Sequence, residues 1–492
     1  MLLLGIDVGT SSIKVSVVNA DDASAIASAQ FPETEAGIIS NKAGWAEQEP
    51  ESWWEYTRQC IQKLNASGKY DPKDIAAIGI AYQMHGLVAV DKSSKPLRPS
   101  IIWCDSRAVA LGNTAFDALG NEYCLQHFLN SPGNFTASKL AWVRENEPEI
   151  FGKIARIMLP GDYIAMKLTG SITTSPSALS EGIFWDFTSD SLSEKIMEYF
   201  GFDNTIIPPI QQVFSVHGTV TAGAAADLGL KAGIPVAYKA GDQPNNALSL
   251  NVMQPGEIAA TAGTSGVIYA VTDQLSHDPL SRVNSFAHVN HTPVEKRIGV
   301  LLCINGTGIM NRWMKDITGN TFQYAEINKI AESIALGSEG LLILPFGNGA
   351  ERMLGNRMPG AQIGKLQFTA HREAHLFRAV QEGIACAFRY GFDILKENGL
   401  TPTVIRAGKA NMFLSRLFTG LFVNLTNVPV ELYKNDGSVG AAIGAGIGAG
   451  IYSSREEAFK SYKPESLTEP EKNREQHEEL YGRWKDFLEK NI

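Results

Sequence analysis

Two stretches far apart in this chain carry one pattern: an apolar run, then Gly-Thr-Ser, then a second apolar run. The first reads Leu3-Leu4-Gly5-Ile6-Asp7-Val8-Gly9-Thr10-Ser11-Ser12-Ile13-Lys14-Val15, and the second Ile258-Ala259-Ala260-Thr261-Ala262-Gly263-Thr264-Ser265-Gly266-Val267-Ile268-Tyr269. Each reads as a β-hairpin with a short glycine-bearing tip. Such a tip can turn backbone N–H groups and two hydroxyls outward, which is the chemistry that holds phosphate oxygens. A chain that carries the hairpin twice is expected to form two related α/β halves, with one polyphosphate gripped in the cleft between them.

The remaining pattern fits two halves in sequence. Apolar strands are expected at 2–8, 13–19 and 25–31, a helix from Pro50, where Pro and acidic residues form a first turn, and a strand at 75–82. Short strands at 87–91 and 100–103 precede a helix-rich region from about 108 to 200, and a strand at 234–240 ends at Gly241-Asp242. The second half brings its hairpin, a strand at 300–304, helices near 308–317 and 371–398, a strand at 403–407 and a small-residue helix at 440–450. The expected division is 1–245, 246–452 and a tail, 453–492, whose Leu480, Trp484, Phe487 and Leu488 recur at helical spacing and dock it on the body.

Composition narrows the class. With 492 residues, 44% of them hydrophobic, the chain can bury two cores. A formal net charge of -9 excludes nucleic acid as the partner, since phosphate backbones call for clustered Lys and Arg. The five cysteines (Cys60, Cys104, Cys124, Cys303 and Cys386) form no C-x-x-C pair, which suits a reducing compartment and offers no thiolate metal site. Met1 leads directly into a strand with no basic segment, and the apolar run 439–452 is too short for a bilayer. A cytoplasmic protein with no membrane partner is the expectation. An exposed face of the second half could support a homodimer.

Chemistry enters through the asymmetry of the hairpins. Asp7 stands two residues before the first tip glycine, where the second copy has Thr261. A carboxylate there can serve Mg²⁺, directly or through water, or merely cap a turn. No G-x-x-x-x-G-K-[ST] run occurs, and the Gly444-Ala445-Gly446-Ile447-Gly448 run follows no strand directly, so close helix packing explains it better than a dinucleotide site. The loop Tyr82-Gln83-Met84-His85-Gly86 sets an amide, a thioether and an imidazole together, a set that can hydrogen-bond a polyol and pack on its carbon chain. Trp103-Cys104-Asp105-Ser106-Arg107 suits a sugar or, equally, an ordinary ion pair at a strand end. Asp242, followed by Gln243, lies just before the second half, where a two-domain cleft has its floor; it can cap a helix or take a proton from a substrate hydroxyl.

In their order along the chain, these segments resemble the FGGY carbohydrate kinases of the actin-like ATPase superfamily: Gly5 to Ser12, Gly44-Trp45-Ala46-Glu47-Gln48-Glu49-Pro50, Gln83-Met84-His85-Gly86, Trp103 to Arg107, Gly241-Asp242 and Gly263-Thr264-Ser265-Gly266. The resemblance implies two actin-like (ribonuclease H-like) domains and transfer of phosphate from ATP, with Mg²⁺, to a sugar. By it, Asp242 is the general base and Asp7 serves the metal. Gln83, Met84, His85, Trp103, Asp105, Asp242 and Gln243 face the sugar, while Gly9, Thr10, Ser11, Ser12, Gly263, Thr264, Gly308, Gly408 and Asn411 face the nucleotide, with Gly437 and Gly440 as further candidates. The Gln-Met-His-Gly loop resembles that of the family's xylulose kinases and is similar in its sedoheptulose kinases, which implies a ketose, D-xylulose first, with sedoheptulose or ribulose as alternatives. Such kinases commonly read Trp-Asn-Asp-Gly-Arg where this chain has Cys104 and Ser106, carry a glycine where Lys365 stands, and have a Gly-Gly-Gly-Ala loop where this chain reads Ala407-Gly408-Lys409-Ala410-Asn411. In the region Phe135 to Trp142 the family pattern is largely kept, with Asn134 ahead of it. Another class of reading, a nucleotide-dependent sugar sensor that transfers nothing, has the same clamp but no need to keep both Asp7 and Asp242.

Overall fold

Each hairpin seeds a mixed sheet of the same design. In the computed structural model, which describes residues 1–492, the strands of the two main sheets are numbered in chain order. The first sheet holds β1 (Leu2–Val8), β2 (Ile13–Asn19), β3 (Ala25–Phe31), β4 (Ile75–Tyr82) and β5 (Val236–Gly241) in the order β5-β4-β1-β2-β3. β1, β2 and β3 form an antiparallel meander, and β4 and β5 run parallel to β1. The second sheet holds β6 (Glu257–Ala262), β7 (Gly266–Thr272), β8 (Asn284–Ala287), β9 (Ile298–Ile304), β10 (Val404–Gly408), β11 (Val430–Tyr433) and β12 (Ser466–Thr468) in the order β8-β9-β7-β6-β10-β11-β12. Its inner strands β9-β7-β6-β10-β11 repeat the first sheet, with β10 and β11 parallel to β6. The extra strands extend its two edges.

Alternation along β1 decides what covers each face. Leu4, Ile6 and Val8 join a core with α1 (Pro50–Ala66) and, through Tyr163, Ile164 and Leu168, a second helix, α3 (Pro160–Thr169). Leu3, Gly5 and Asp7 point the other way. There the covering element is α9 (Gly437–Gly448), which comes from the second half of the chain. Gly5 and Gly79 lie so close to its backbone that a Cβ on either would strike the carbonyls of Ser438 or Ala441. Gly444 packs on the Tyr238 ring in the same way, so the small-residue run is a packing device, as its sequence suggested.

Between α1 and α3 in sequence lies the region that carries α2 (Thr136–Asn146); α4 (Pro176–Glu181) follows α3. The side chains of this region share one continuous core with the second sheet, so the loop that carries Met84 is enclosed from both halves. β5 delivers the chain directly into α5 (Asp242–Ser249), which packs on α9. In the second half, α6 (Gly308–Ile317) follows β9, and α7 (Glu373–Glu397) packs against α8 (Arg416–Thr426). The tail ends in α10 (Glu475–Glu489). Trp484 donates its indole N–H to the Ile343 carbonyl at 2.8 Å and Tyr481 its hydroxyl to Asp393 at 2.6 Å, while Leu480 and Leu488 are buried. The expected docking helix is therefore present. No helix is long and apolar enough to cross a membrane.

Candidate active site

The first hairpin tip, Gly9 to Ser12, is closed by the Gly9 N–H donating to the Ser12 carbonyl at 3.1 Å. Gln83 leaves β4 beside it and donates its backbone N–H to the Val8 carbonyl at 2.9 Å. The Gln83 side chain then accepts the Thr10 hydroxyl at 3.1 Å and donates to Gln48 at 3.0 Å. Gln48 donates to the Thr10 carbonyl at 2.8 Å and accepts the Trp53 indole N–H at 3.1 Å. Both ends of the buried Gln83 amide are thus engaged in holding the tip, which corrects the expectation that it meets the sugar. Trp103, 52% exposed, donates its indole N–H to the Thr10 hydroxyl at 2.9 Å and ties its loop to the same tip. Ser12 accepts from Gln30 at 3.0 Å, and Ser11 is exposed.

The second tip, Gly263 to Ser265, is held by a helix start instead. Gly308 donates its N–H to the Gly263 carbonyl at 2.8 Å and Ile309 to the Thr264 carbonyl at 3.1 Å. A side chain at Gly308 would strike the Gly263 carbonyl. Asn411, at φ 53°, brings its amide nitrogen to 3.5 Å from where a Cβ at Gly263 would stand. Thr264 is exposed. Gly263, Thr264, Gly308 and Asn411 therefore gather at one place. Gly408, the last residue of β10, adjoins Asn435. Gly437 and Gly440 lie apart, packed on Asp7 and Ser249 at the junction of the halves, which corrects their placement near the adenosine.

Two carboxylates stand at the carboxyl ends of β1 and of the edge strand β5 of the first sheet. Asp7 pairs with Lys14 in register, and Lys14 forms an ion pair with Asp436, which caps α9 by accepting the Ser438 N–H at 3.0 Å. Burial and the Asp436 charge push the Asp7 carboxyl up to about 6 against the pull of Lys14. Asp242 opens α5. Burial, then the charge of Asp7, push it up to about 7, although hydrogen bonds from the Gln243 N–H and side chain stabilise its anion. Gln243 thus orients Asp242. Neither the burial nor the proximity of Asp7 is legible in the residues alone, so this shift has no sequence signal. Asn245, one turn further along α5, donates to the Gly437 carbonyl at 2.9 Å while its buried Oδ1 has no partner. A carboxylate that resists ionising and an orphaned amide oxygen beside it form a small hard-oxygen set, suited to a divalent cation that keeps most of its water and phosphate ligands.

At the sugar end, Met84 is buried against Gly241, where a Cβ would meet its Cγ at 2.6 Å. His85 takes φ 59°, a strained conformation of the kind that clusters at functional sites. Its carbonyl accepts the Lys139 ammonium at 2.7 Å, and its Nδ1 lies 3.1 Å from the Glu181 carbonyl. A carbonyl can only accept, so Nδ1 carries the hydrogen and Nε2 is left as an acceptor for a hydroxyl. Burial, then Lys139 and Arg352, push the imidazole down to about 3, which keeps it neutral. The ring packs edge-on to Phe135 (centroids 4.8 Å apart) and beside Phe286 of β8 (5.3 Å). Lys139 lies inside the Phe135 to Trp142 pattern, though without a role of its own there; Glu181 and Phe286 carried no sequence signal, because distant segments supply them.

Asp105 requires a third correction. It is fully buried, accepts the Ala46 N–H at 2.5 Å and binds Arg107 through Nε at 2.9 Å and Nη2 at 2.7 Å. Arg107 is held between Trp45 (3.8 Å) and Trp142 (4.8 Å) and pairs with Glu47 at 2.7 Å. Asp105 thus anchors the Gly44 to Pro50 segment and does not reach a ligand.

Twin sheets of one topology, each presenting a Gly-Thr-Ser tip, with two carboxylates between them, define an actin-like ATPase. The family profile described as "FGGY family of carbohydrate kinases, N-terminal domain" matches residues 2–249, and the chain belongs to this family. It is 29% identical to the xylulose kinase of Bacillus subtilis (strain 168), over 82% of this chain and 80% of that protein. It is 28% identical to the xylulose kinase of Escherichia coli (strain K12), over 93% and 91%. The crystal structure of xylulose kinase from Rhodospirillum rubrum superposes with a TM-score of 0.88 at 25% identity, covering 100% of this chain and 99% of that one.

Proposed function

We propose that this carbohydrate kinase transfers the γ-phosphoryl group of ATP to the terminal hydroxyl of D-xylulose, giving D-xylulose 5-phosphate, in the cytoplasm. The observation that carries the reading is the position of Asp242, which follows the Gly241 that Met84 packs on and is electrostatically coupled to Asp7 at the first tip. Xylulose kinases among the relatives, aligned over most of both chains, support the choice of sugar.

Asp242 takes the proton of the attacking hydroxyl, and a carboxyl lifted to about 7 is better matched to that task than an ordinary one. His85 accepts a sugar hydroxyl through Nε2, Met84 packs on the carbon chain, and Gln243 keeps the base in position. Asp7, with Asn245 Oδ1, would hold Mg²⁺, which when bound neutralises charge on the phosphates. The two tips grip the phosphates: Gly9, Thr10, Ser11 and Ser12 on one side, Gly263 and Thr264 on the other, with Gly308, Gly408 and Asn411 toward the rest of the nucleotide. Closure of the residue 1–245 domain on the 246–452 domain excludes water from the reacting groups.

ADP release measured over a panel of ketoses, aldoses and polyols tests the proposal. The highest kcat/KM is expected with D-xylulose. A higher value with sedoheptulose or ribulose moves the assignment within the ketoses, and one with glycerol or an aldose overturns it. Nucleotide-driven domain movement with no sugar phosphate formed would favour a sensor.

A further inference from the structure

One buried carboxyl in the sugar region has no part in the mechanism above. Glu181 is the last residue of α4, the short helix that touches both halves: Ser180 accepts the Ala287 N–H of β8 at 2.9 Å, and the Glu181 carbonyl lies 3.1 Å from His85 Nδ1. The Glu181 side chain is folded in beside Gly241, the residue that precedes Asp242. Its Oε2 lies 2.8 Å from where a Cβ at Gly241 would stand, on the side taken by Met84. The residue is 1% exposed, and Oε1 has no hydrogen-bond partner. A carboxyl serving only the fold would be paired, since a buried polar group left without a partner is destabilising and an apolar side chain would fill the same space.

We propose that Glu181 is a further sugar-binding residue, giving a hydrogen bond to an oxygen of the substrate beside Met84 and Asp242. The proposal rests on the kinase reading and adds to it a group of defined hydrogen-bond polarity.

The polarity follows from the surroundings. Burial, then Asp242 of α5 and Asp162 of α3, disfavour the Glu181 anion; the His85 N–H and Lys139 of α2 favour it but are outweighed. Tyr82 of β4 and Tyr269 of β7 also sense the carboxyl, and neither charges near neutral pH. Glu181 is therefore neutral and offers one O–H. Neutral His85, with Nε2 unprotonated, offers only an acceptor. A donor and an acceptor side by side suit a chain on which a carbonyl, which can only accept, adjoins hydroxyls, as in a ketose.

The test uses the full chain and whichever sugar of the panel it phosphorylates best, so failure of the xylulose assignment and failure of this proposal are read separately. Glu181→Ala should raise the KM for sugar about tenfold or more and leave the KM for ATP within about twofold, the effect of losing one ligand hydrogen bond. Glu181→Gln keeps an N–H donor and should stay within about threefold of the parent. Glu181→Leu fills the volume without a polar atom; it should match Ala in sugar KM and carries the test if the Ala variant fails to fold, as judged by ADP binding and the unfolding midpoint. An unchanged sugar KM in the folded Ala or Leu variant overturns the proposal. So does an equal rise in the KM for ATP, or a Gln variant as impaired as Ala.

Discussion

The two Gly-Thr-Ser tips are alike in sequence and opposite in support. In the first, the Thr10 hydroxyl accepts from Trp103 and donates to Gln83, and Gln48 binds the backbone below it. The tip is fixed by side chains drawn from loops of its own half. In the second, backbone N–H groups of a helix start hold the tip carbonyls, and Thr264 stays exposed. The repeat therefore duplicates a backbone shape and not a set of contacts. The first tip is joined to the Gln83 to Gly86 loop through Gln83, so under the proposed function sugar and phosphate would be held in one rigid frame. The second is joined to a helix and, under the same proposal, would answer to the nucleotide alone.

The largest test of this division removes Asp242, the proposed base. Asp242→Asn should lower kcat about 10³-fold while sugar binding by calorimetry persists; near-normal turnover would remove Asp242 from the mechanism. Next, Asp7→Thr makes the first copy resemble the second at position 261. It should lower kcat about a hundredfold and weaken the dependence on Mg²⁺, whereas Thr261→Asp should leave kcat within about twofold, since no sugar loop adjoins that tip.

The pH profile sharpens the same contrast. With Asp242 at about 7, kcat/KM for sugar should fall on the acid side with a midpoint near that value, because the protonated acid cannot accept the hydroxyl proton. Stability runs the other way. Asp7 and Asp242 bind protons in the ligand-free fold that the unfolded chain releases, so in urea unfolding stability is greater near pH 4 to 5 and declines as pH rises through about 6 to 7. A flat or rising contribution from them, read as the difference from Asp242→Asn, would contradict the burial described here.

Smaller effects separate the two supports. Gly308→Ala should raise the KM for ATP about tenfold with little change for sugar, while Trp103→Phe, losing one indole N–H, should alter both by about threefold. Equal responses would erase the distinction. Smallest is Lys365→Gly. Lys365 is exposed and takes φ 63°, where the family carries glycine. Relief of left-handed strain, partly offset by a looser unfolded chain, should stabilise the protein by about 0.5 kcal/mol without changing activity.

Much of the frame was readable in the sequence. Strand β4 and helix α6 have the expected extents, because glycine and proline punctuate them and their apolar periods are unambiguous. The two tips and their order with respect to Asp242 were equally plain. What could not be read is who meets whom across the chain. Asp105 and Gln83 looked like ligand groups because an exposed and an internally paired polar side chain share one spelling. The partners that decide between them, Arg107 with its tryptophans and Gln48 with Thr10, are fixed only by the fold. Glu181 and Lys139 lay in helices whose burial on all sides leaves little periodic trace.

The placement of α9 has a consequence for how the chain matures. The face of the first sheet formed by Leu3, Ala77, Ala81, Tyr238 and Ala240 is covered by Ala441, Ala442, Ile443 and Ala445, residues made late in synthesis. Until they emerge, the amino-terminal half has one finished face and one bare one. A fragment that stops at residue 249 keeps every proposed sugar ligand yet lacks the lid of its own core. It should bind an apolar dye and aggregate, and the two halves are in effect one folding unit, fastened by a helix that belongs to one and completes the other.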